Sequence, residues 1–430
     1  MASTATDDQT MDSEVLLVYK GTVACVTLNR PKALNSLSLG MVRRLLELNT
    51  QFAAQHRQQP GSASVSCVVV RGAGGKAFCA GGDVKELVLR SRAGDPEYGV
   101  DFFRTEYANN AAIAELPVPY IAVLDGIVMG GGVGVSYHGH FRIATERTVL
   151  AMPETGIGLF PDVGAAFFLP RLPGHLGRYM GLTGERIAGE CRERGAPLLR
   201  VLRATRAEVK DAGFATHFIP SAALPDLEQR LAELGPAASD LAVVDRLLRS
   251  MEAAPQPQAH AHAGGGANAL LDWKLPLINA HFGRGGMAEV VASLEAAVAA
   301  ADREGAGGAG GAGGEALAFV RSTLAALKKG SPLSQAVTWE MLRRSTAGHL
   351  NLRQCLELEY VLAARCTRGQ ADFIEGVRAL LIDKDNRPRW RYGSVAEVPE
   401  RVVREMFEPL PGSQPLFGAA GAAAAPASRM

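Results

Sequence analysis

Apolar residues recur in two rhythms along this chain, and the rhythm changes near its middle. Two β-rich runs at 15–19 and 23–28, separated by Lys20-Gly21-Thr22, predict a hairpin. Asn29-Arg30-Pro31 ends the second run. Met41, Leu45, Leu48 and Phe52 then recur at helical spacing, so residues 39–53 are predicted as a helix with Ser38 at its N-cap. A buried strand is predicted over 65–70, followed by a loop over 71–75 and a helix that starts at Asp83 and runs through Leu89. Further short strands are read at 119–124, 141–144 and 149–152, with a helix start at 130–136 between the first two. This alternation predicts an α/β core over residues 15–185, carrying the candidate active site.

Beyond Leu169 the pattern turns helical and is broken by low-complexity pieces. Residues 186–260 read as a helical extension with an atypical insertion at 191–205, and no role is assigned to its Glu190-Cys191-Arg192-Glu193-Arg194 run. Residues 261–316 read as partly helical between Gly/Ala-rich linkers, including Gly264-Gly265-Gly266 and the stretch 305–314. His260 and His262 fall beside the first linker, where two histidines in a floppy segment are far more often inert than metal ligands. A C-terminal helical unit is expected over 317–408, with Leu356, Leu358 and Val361 among its apolar positions, then a flexible tail over 409–430. Residues 1–14 are read as a disordered N-terminus.

Composition narrows the classes of function. The 430 residues are 47% hydrophobic and 21% charged, ordinary values for a globular enzyme. With 45 Lys and Arg against 44 Asp and Glu, the net charge is +1, so there is no electrostatic case for nucleic acid or a membrane surface. No run approaches the ~20 apolar residues that span a bilayer. A small-molecule partner is expected, and a homo-oligomer is left open. The six cysteines, Cys25, Cys67, Cys79, Cys191, Cys355 and Cys366, lack metal-site or disulfide-framework spacing and read as reduced and mostly core. The N-terminus carries Asp7, Asp8, Asp12 and Glu14 with no Lys or Arg before Lys20, unlike a secretory signal or an Arg-rich presequence. The closing Ser428-Arg429-Met430 is similar to the Ser-Lys-Leu class of addresses, so a peroxisomal location and its import receptor are expected, with cytoplasmic and mitochondrial alternatives.

Two stretches carry the candidate chemistry. Met129-Gly130-Gly131-Gly132-Val133-Gly134 sets side-chain-free residues where a strand gives way to a helix, so backbone N–H groups can face a negative oxygen. A short distance on, Glu154 and Asp162 lie close in chain order in a Pro- and Gly-rich loop. An anion-binding backbone beside paired carboxyls points to acyl or enolate chemistry.

Longer motifs strengthen this reading. Asn29-Arg30-Pro31 with Ala33-Leu34-Asn35-Ser36-Leu37, then Lys76-Ala77-Phe78-Cys79-Ala80-Gly81-Gly82-Asp83, then the glycine run, resemble the crotonase (enoyl-CoA hydratase/isomerase) superfamily in order and spacing. The stretches 152–164 and 373–385 are similar to its 3-hydroxyisobutyryl-CoA hydrolase branch. The resemblance implies a spiral of ββα repeats followed by a C-terminal helical unit. It implies an acyl-CoA substrate whose thioester carbonyl meets the amides of Gly82 and Gly131. Glu154 matches a glutamate shared with hydratases and is read as base or nucleophile. Asp162 matches a position that hydratases fill with Gly, and is read as binding the substrate hydroxyl or exchanging protons. Glu106, in Phe102-Phe103-Arg104-Thr105-Glu106-Tyr107, falls where the branch has a substrate-contacting glutamate on a helix. Gly134 stands where hydratases carry a second glutamate, which disfavours hydration. Cys79 is read as a buried small side chain. The implied reaction is hydrolysis of a short branched 3-hydroxyacyl-CoA, as in valine breakdown, with neither metal nor redox cofactor. The alternatives are an enoyl-CoA hydratase or isomerase, and a non-catalytic subunit of a larger assembly.

Overall fold

The predicted hairpin forms, with β1 (Val15–Lys20) antiparallel to β2 (Val23–Leu28) and Gly21 turning at a φ of +58°. In this computed structural model the described residues are 13–58, 65–188, 208–252, 273–303 and 312–418. After the hairpin comes α1 (Leu39–Gln58), where Ser38 Oγ accepts from Met41 N as the N-cap. Met41, Val42, Leu45, Leu48 and Phe52 are buried along one face, and burial of each such side chain contributes about 1.5–3 kcal/mol.

Three ββα turns follow. β3 (Cys67–Gly72) leads to β4 (Ala77–Cys79), then to α2 (Val84–Arg92) and α3 (Glu97–Ala114). β5 (Tyr120–Leu124) leads to β6 (Ile127–Met129) and α4 (Gly131–Tyr137). β7 (Phe141–Ala144) leads to β8 (Val149–Ala151) and the 3-10 turn Glu154–Ile157. The first strand of each turn joins a larger sheet and the second a smaller one, so the chain spirals between them. β9 (Ile187–Ala188) and β10 (His217–Phe218) complete the sheets, in the orders β1-β2-β3-β5-β7-β10 and β4-β6-β8-β9. From β2 to β10 the larger sheet is parallel.

Both faces of the larger sheet are covered. Ala24, Val26, Val68 and Val70 join the main core, whereas Val23, Cys25, Val69 and Ile121 pack with Leu227, Leu231, Val244 and Leu248 of the helices Leu224–Glu233 and Leu241–Met251. Two-sided burial is what a parallel sheet requires.

Several expectations are corrected. The sheets do not end at residue 185, because β9 and β10 lie in the supposed helical extension; strands of two residues leave no alternation to read. The three-residue strands β4 and β6 are also beyond those expected, each being set beside the glycines of its loop. β3 begins two residues later than its predicted strand. The end of the 305–314 linker is helical, since Ala312–Lys329 is a helix. The expected flexible tail is docked up to residue 418. Leu416 N and Phe417 N donate to Glu357, and Arg104 donates to the carbonyls of Gln414 and Pro415. His260, His262, the 191–205 insertion and Ser428-Arg429-Met430 lie outside the described residues.

Candidate active site

The segment 80–83 is laid against residues 34–37 by backbone bonds. Ala80 N donates to Leu34 O at 3.0 Å, Leu37 N to Gly81 O at 2.8 Å, and Asp83 N to Leu37 O at 2.8 Å. Gly82 is the bridged residue opposite Leu37, and in a parallel pairing its own N–H therefore faces the other way. The Asn-Arg-Pro motif builds this platform. Asn35 Nδ2 donates to Ala73 O and Ala77 O, while Arg30 bonds Ser36 O and Asp83 Oδ2. Gly131 opens α4, where leading N–H groups have no intrahelical acceptor. Neither Gly82 N nor Gly131 N donates to another group among the described residues.

Close approach explains the glycines. A methyl group on Gly131 would sit 2.4 Å from Glu106 Oε1 and 3.3 Å from Gly82 N. One on Gly130, whose φ is +47°, would sit 2.9 Å from Glu154 Oε1. Gly82 lies against the Phe102 ring. The two glycines, Glu106, Glu154 and Asp162 all line one cavity of about 320 Å³, and Leu381 stands at its lining from the far end of the chain. Leu381 belongs to a π-helical turn, Arg378–Ile382, that Arg378 secures by bonds to Glu375, Asp383 and Asp385. This gives the 373–385 motif a place in the site.

Electrostatically the inner end of the cavity is a cluster of acids, while Lys85 stands at the lining with its side chain exposed. Glu106, Glu154 and Asp162 are 2%, 5% and 4% exposed, and among the described residues no ion pair holds any of them. Burial pushes the Glu154 carboxyl well above the usual range, and Asp162 nearby pushes it further. Glu106 is raised by burial, then by Asp162 and Glu154. Asp162 is pushed up to about 7 by burial, against the hydrogen bond that Tyr107 Oη donates to its Oδ2 at 2.7 Å. Like charges in one buried site cannot all ionise, so the cluster retains protons near neutral pH. Glu154 Oε2 and Glu106 Oε1 are buried without a hydrogen-bond partner among the described residues.

Two functional candidates escaped the sequence reading. Tyr107 follows Glu106 in a helix buried nearly all round, so no amphipathic stripe marks it. Glu359 is fully buried and accepts from Gly164 N and Ala166 N at 2.7 Å each. Its signal was present: with Leu352, Cys355, Leu356, Ala363 and Cys366 it occupies the core face of a helical repeat. Gly134 lines no part of the cavity; a methyl there would sit 2.6 Å from Val163 Cβ and 2.9 Å from Asn110 Nδ2. Cys79 is fully buried, and burial pushes its thiol up to about 12.

Comparison with known proteins matches the enoyl-CoA hydratase/isomerase family over residues 23–193 and 200–407. The chain belongs to that family. Among relatives of this hydratase/isomerase-family chain, a mitochondrial 3-hydroxyisobutyryl-CoA hydrolase from Xenopus laevis is 38% identical over 94% of this chain and 91% of its own length. The 3-hydroxyisobutyryl-CoA hydrolase 1 of Arabidopsis thaliana is 38% identical over 92% of each. Solved structures of an enoyl-CoA hydratase from Rhodobacter sphaeroides and a carnitinyl-CoA dehydratase from Mycobacterium thermoresistibile superpose with TM-scores of 0.72 and 0.73, at 34% and 32% identity. Each covers 93% of this chain and is itself covered over 98%. The fold is therefore crotonase-like, a ββα spiral with a C-terminal helical unit.

Proposed function

We propose that this chain hydrolyses the thioester of a short branched 3-hydroxyacyl-CoA, 3-hydroxyisobutyryl-CoA foremost, releasing the hydroxy acid and the CoA thiol. The relatives that match nearly the whole chain carry that activity in their names. The observation that carries the reading in this molecule is the second acid, Asp162, facing the same cavity as Glu154 and two free amides. Attack on a thioester carbon moves negative charge onto its oxygen, and each fixed donor, Gly82 N–H and Gly131 N–H, would stabilise that charge by about 3–4 kcal/mol.

Glu154 in its ionised form would attack the carbonyl carbon or take a proton from an attacking water. Attack by the carboxylate gives an anhydride and expels the thiolate; water then opens the anhydride. The thiolate needs one proton, and Asp162 can deliver it from the form of the coupled cluster that carries the charge on Glu154 and the proton on Asp162. Burial and, where Asp162 is ionised, its charge keep the proton on Glu154 in the free site, so the reaction has to draw on a disfavoured form. Asp162 or Glu106 would otherwise hold the substrate hydroxyl. The steps draw on protein groups and water alone, with coenzyme A as part of the substrate.

Enoyl-CoA hydration is the second reading, favoured by the name of the solved neighbour from Rhodobacter sphaeroides. By the resemblance, hydratases carry their second glutamate at position 134, where here Val163 and Asn110 leave no room for a side chain. The test is thiol release from 3-hydroxyisobutyryl-CoA set against hydration of crotonyl-CoA, with Glu154→Gln beside the wild type. We expect thiol release to dominate and Glu154→Gln to lower it about 10²–10⁴-fold. Absent thiol release, or an unaffected variant, ends the reading. Valine breakdown is the metabolic setting such a substrate implies. The vertebrate relatives named as mitochondrial support the mitochondrial alternative, and no comparison supports the peroxisomal reading of Ser428-Arg429-Met430.

A further inference from the structure

Asp162 opens a turn that its own sequence does not favour. Val163 has a φ of +55° and Gly164 a φ of +90°, and the left-handed region is costly for a β-branched residue. Two side chains from outside the turn hold it. His138 Nε2 donates to Val163 O at 2.7 Å; burial pushes this histidine down to about 4, so the ring is neutral and Nε2 carries the hydrogen. Glu359 accepts from Gly164 N and Ala166 N, groups at the start of the short helix Ala165–Phe168 for which Gly164 supplies no side-chain cap. Glu359 reaches there across 195 positions of sequence, from the helix Leu352–Thr367, which packs on both α3 and Ala165–Phe168.

We propose that Glu359 is a positioning residue that fixes the turn 162–164 and, through it, the aim of the Asp162 carboxyl at the reacting thioester. The inference rests on the hydrolase reading above. Glu359 lines no part of the cavity and touches no substrate. Among the described residues the Asp162 side chain has one side-chain partner, Tyr107, so its direction is otherwise set by the backbone beneath it. Burial pushes the Glu359 carboxyl up and the nearby Asp162 pushes it further, while its bonds from Ala166 N and Gly164 N pull it down. The geometry suits a carboxyl because each of its two oxygens meets one N–H at 2.7 Å. A glutamine of the same shape would turn an NH₂ toward one of the two N–H donors.

The test uses the full chain carrying Glu359→Gln, with two readouts. Hydrogen exchange at Gly164 and Ala166 should quicken about tenfold or more, confined to that segment. In thiol release kcat should fall about 10- to 100-fold with KM nearly unchanged, the split expected when a reacting group is misaimed while substrate binding stays intact. Unchanged exchange or an unchanged kcat overturns the proposal. Should Glu359→Gln fail to fold, His138→Phe removes the other tie while His138→Gln keeps a donor. The first should reproduce the kcat loss and the second largely restore it; equal activity in both overturns the proposal. A wild type that releases no thiol from any ester sinks the hydrolase reading instead, and the exchange readout still decides whether Glu359 clamps the turn.

Discussion

Tyr107 and Asp162 exchange influence through one hydrogen bond, and its removal has a definite sign. The Tyr107 hydroxyl stabilises ionised Asp162 and so holds its pKa down against burial. In Tyr107→Phe that pKa rises above about 7, and the protonated form persists to higher pH. If Asp162 protonates the departing thiolate, the descending limb of the kcat/KM profile moves to higher pH; an unmoved limb removes Asp162 from that role. Stability carries the same information. A carboxyl raised from 3.8 to about 7 on folding favours the folded state at low pH, and that contribution is lost as pH climbs through the window between the two values. Asp162→Asn, which cannot ionise, should therefore match the wild type near pH 4. By pH 8 it should exceed the wild type by an amount on the order of a few kcal/mol, read by denaturant titration at both pH values. Such a gain in stability with loss of activity is the usual signature of a group kept for chemistry.

Among the elements, α4 and the 162–164 turn are matched pieces. Val163 occupies the space that a side chain at Gly134 would need. Gly134→Ala gains helix propensity of about 1 kcal/mol, yet its methyl would meet a β-branched side chain in a strained turn. Overpacking of this kind costs about 1–3 kcal/mol, so thermal unfolding should show net destabilisation. This pairing explains what could be read from sequence and what could not. Glycine-rich segments such as 80–83 and 130–134 are visible because few residues tolerate their backbone. The hairpin is visible because two β-rich runs flank a glycine turn, and α1 because helical spacing survives where one face stays wet. α3 was placed only through the resemblance, since burial on nearly every side erases its stripe. The tie between Glu359 and the Asp162 loop was hidden because it joins residues 195 apart. An acid on the core face of a helical repeat was the one available hint.

For the whole molecule, the C-terminal helices are part of the active-site wall. Glu154 rides on the 3-10 turn Glu154–Ile157, and that turn is gripped from the far end of the chain. Ser331 N donates to Thr155 O at 3.0 Å. A methyl on Gly158 would lie 2.3 Å from Asp372 O, and one on Gly376 would lie 2.3 Å from the Ile157 carbonyl. Backbone therefore meets backbone here, and neither side can relax by turning a side chain. Gly376→Ala must push the Ile157 carbonyl away and with it the base of Glu154. We expect it to cost at least about 1–3 kcal/mol of stability and to lower kcat for thiol release about 10- to 100-fold, although residue 376 is far from 154 in sequence. Gly156→Ala is the matched control: it alters the same turn where nothing lies within 4 Å, and should stay near wild type in both measurements. Equal behaviour of the two variants would mean that the C-terminal unit merely covers the site. A selective loss in Gly376→Ala would mean that the two ends of the chain hold the catalytic turn between them.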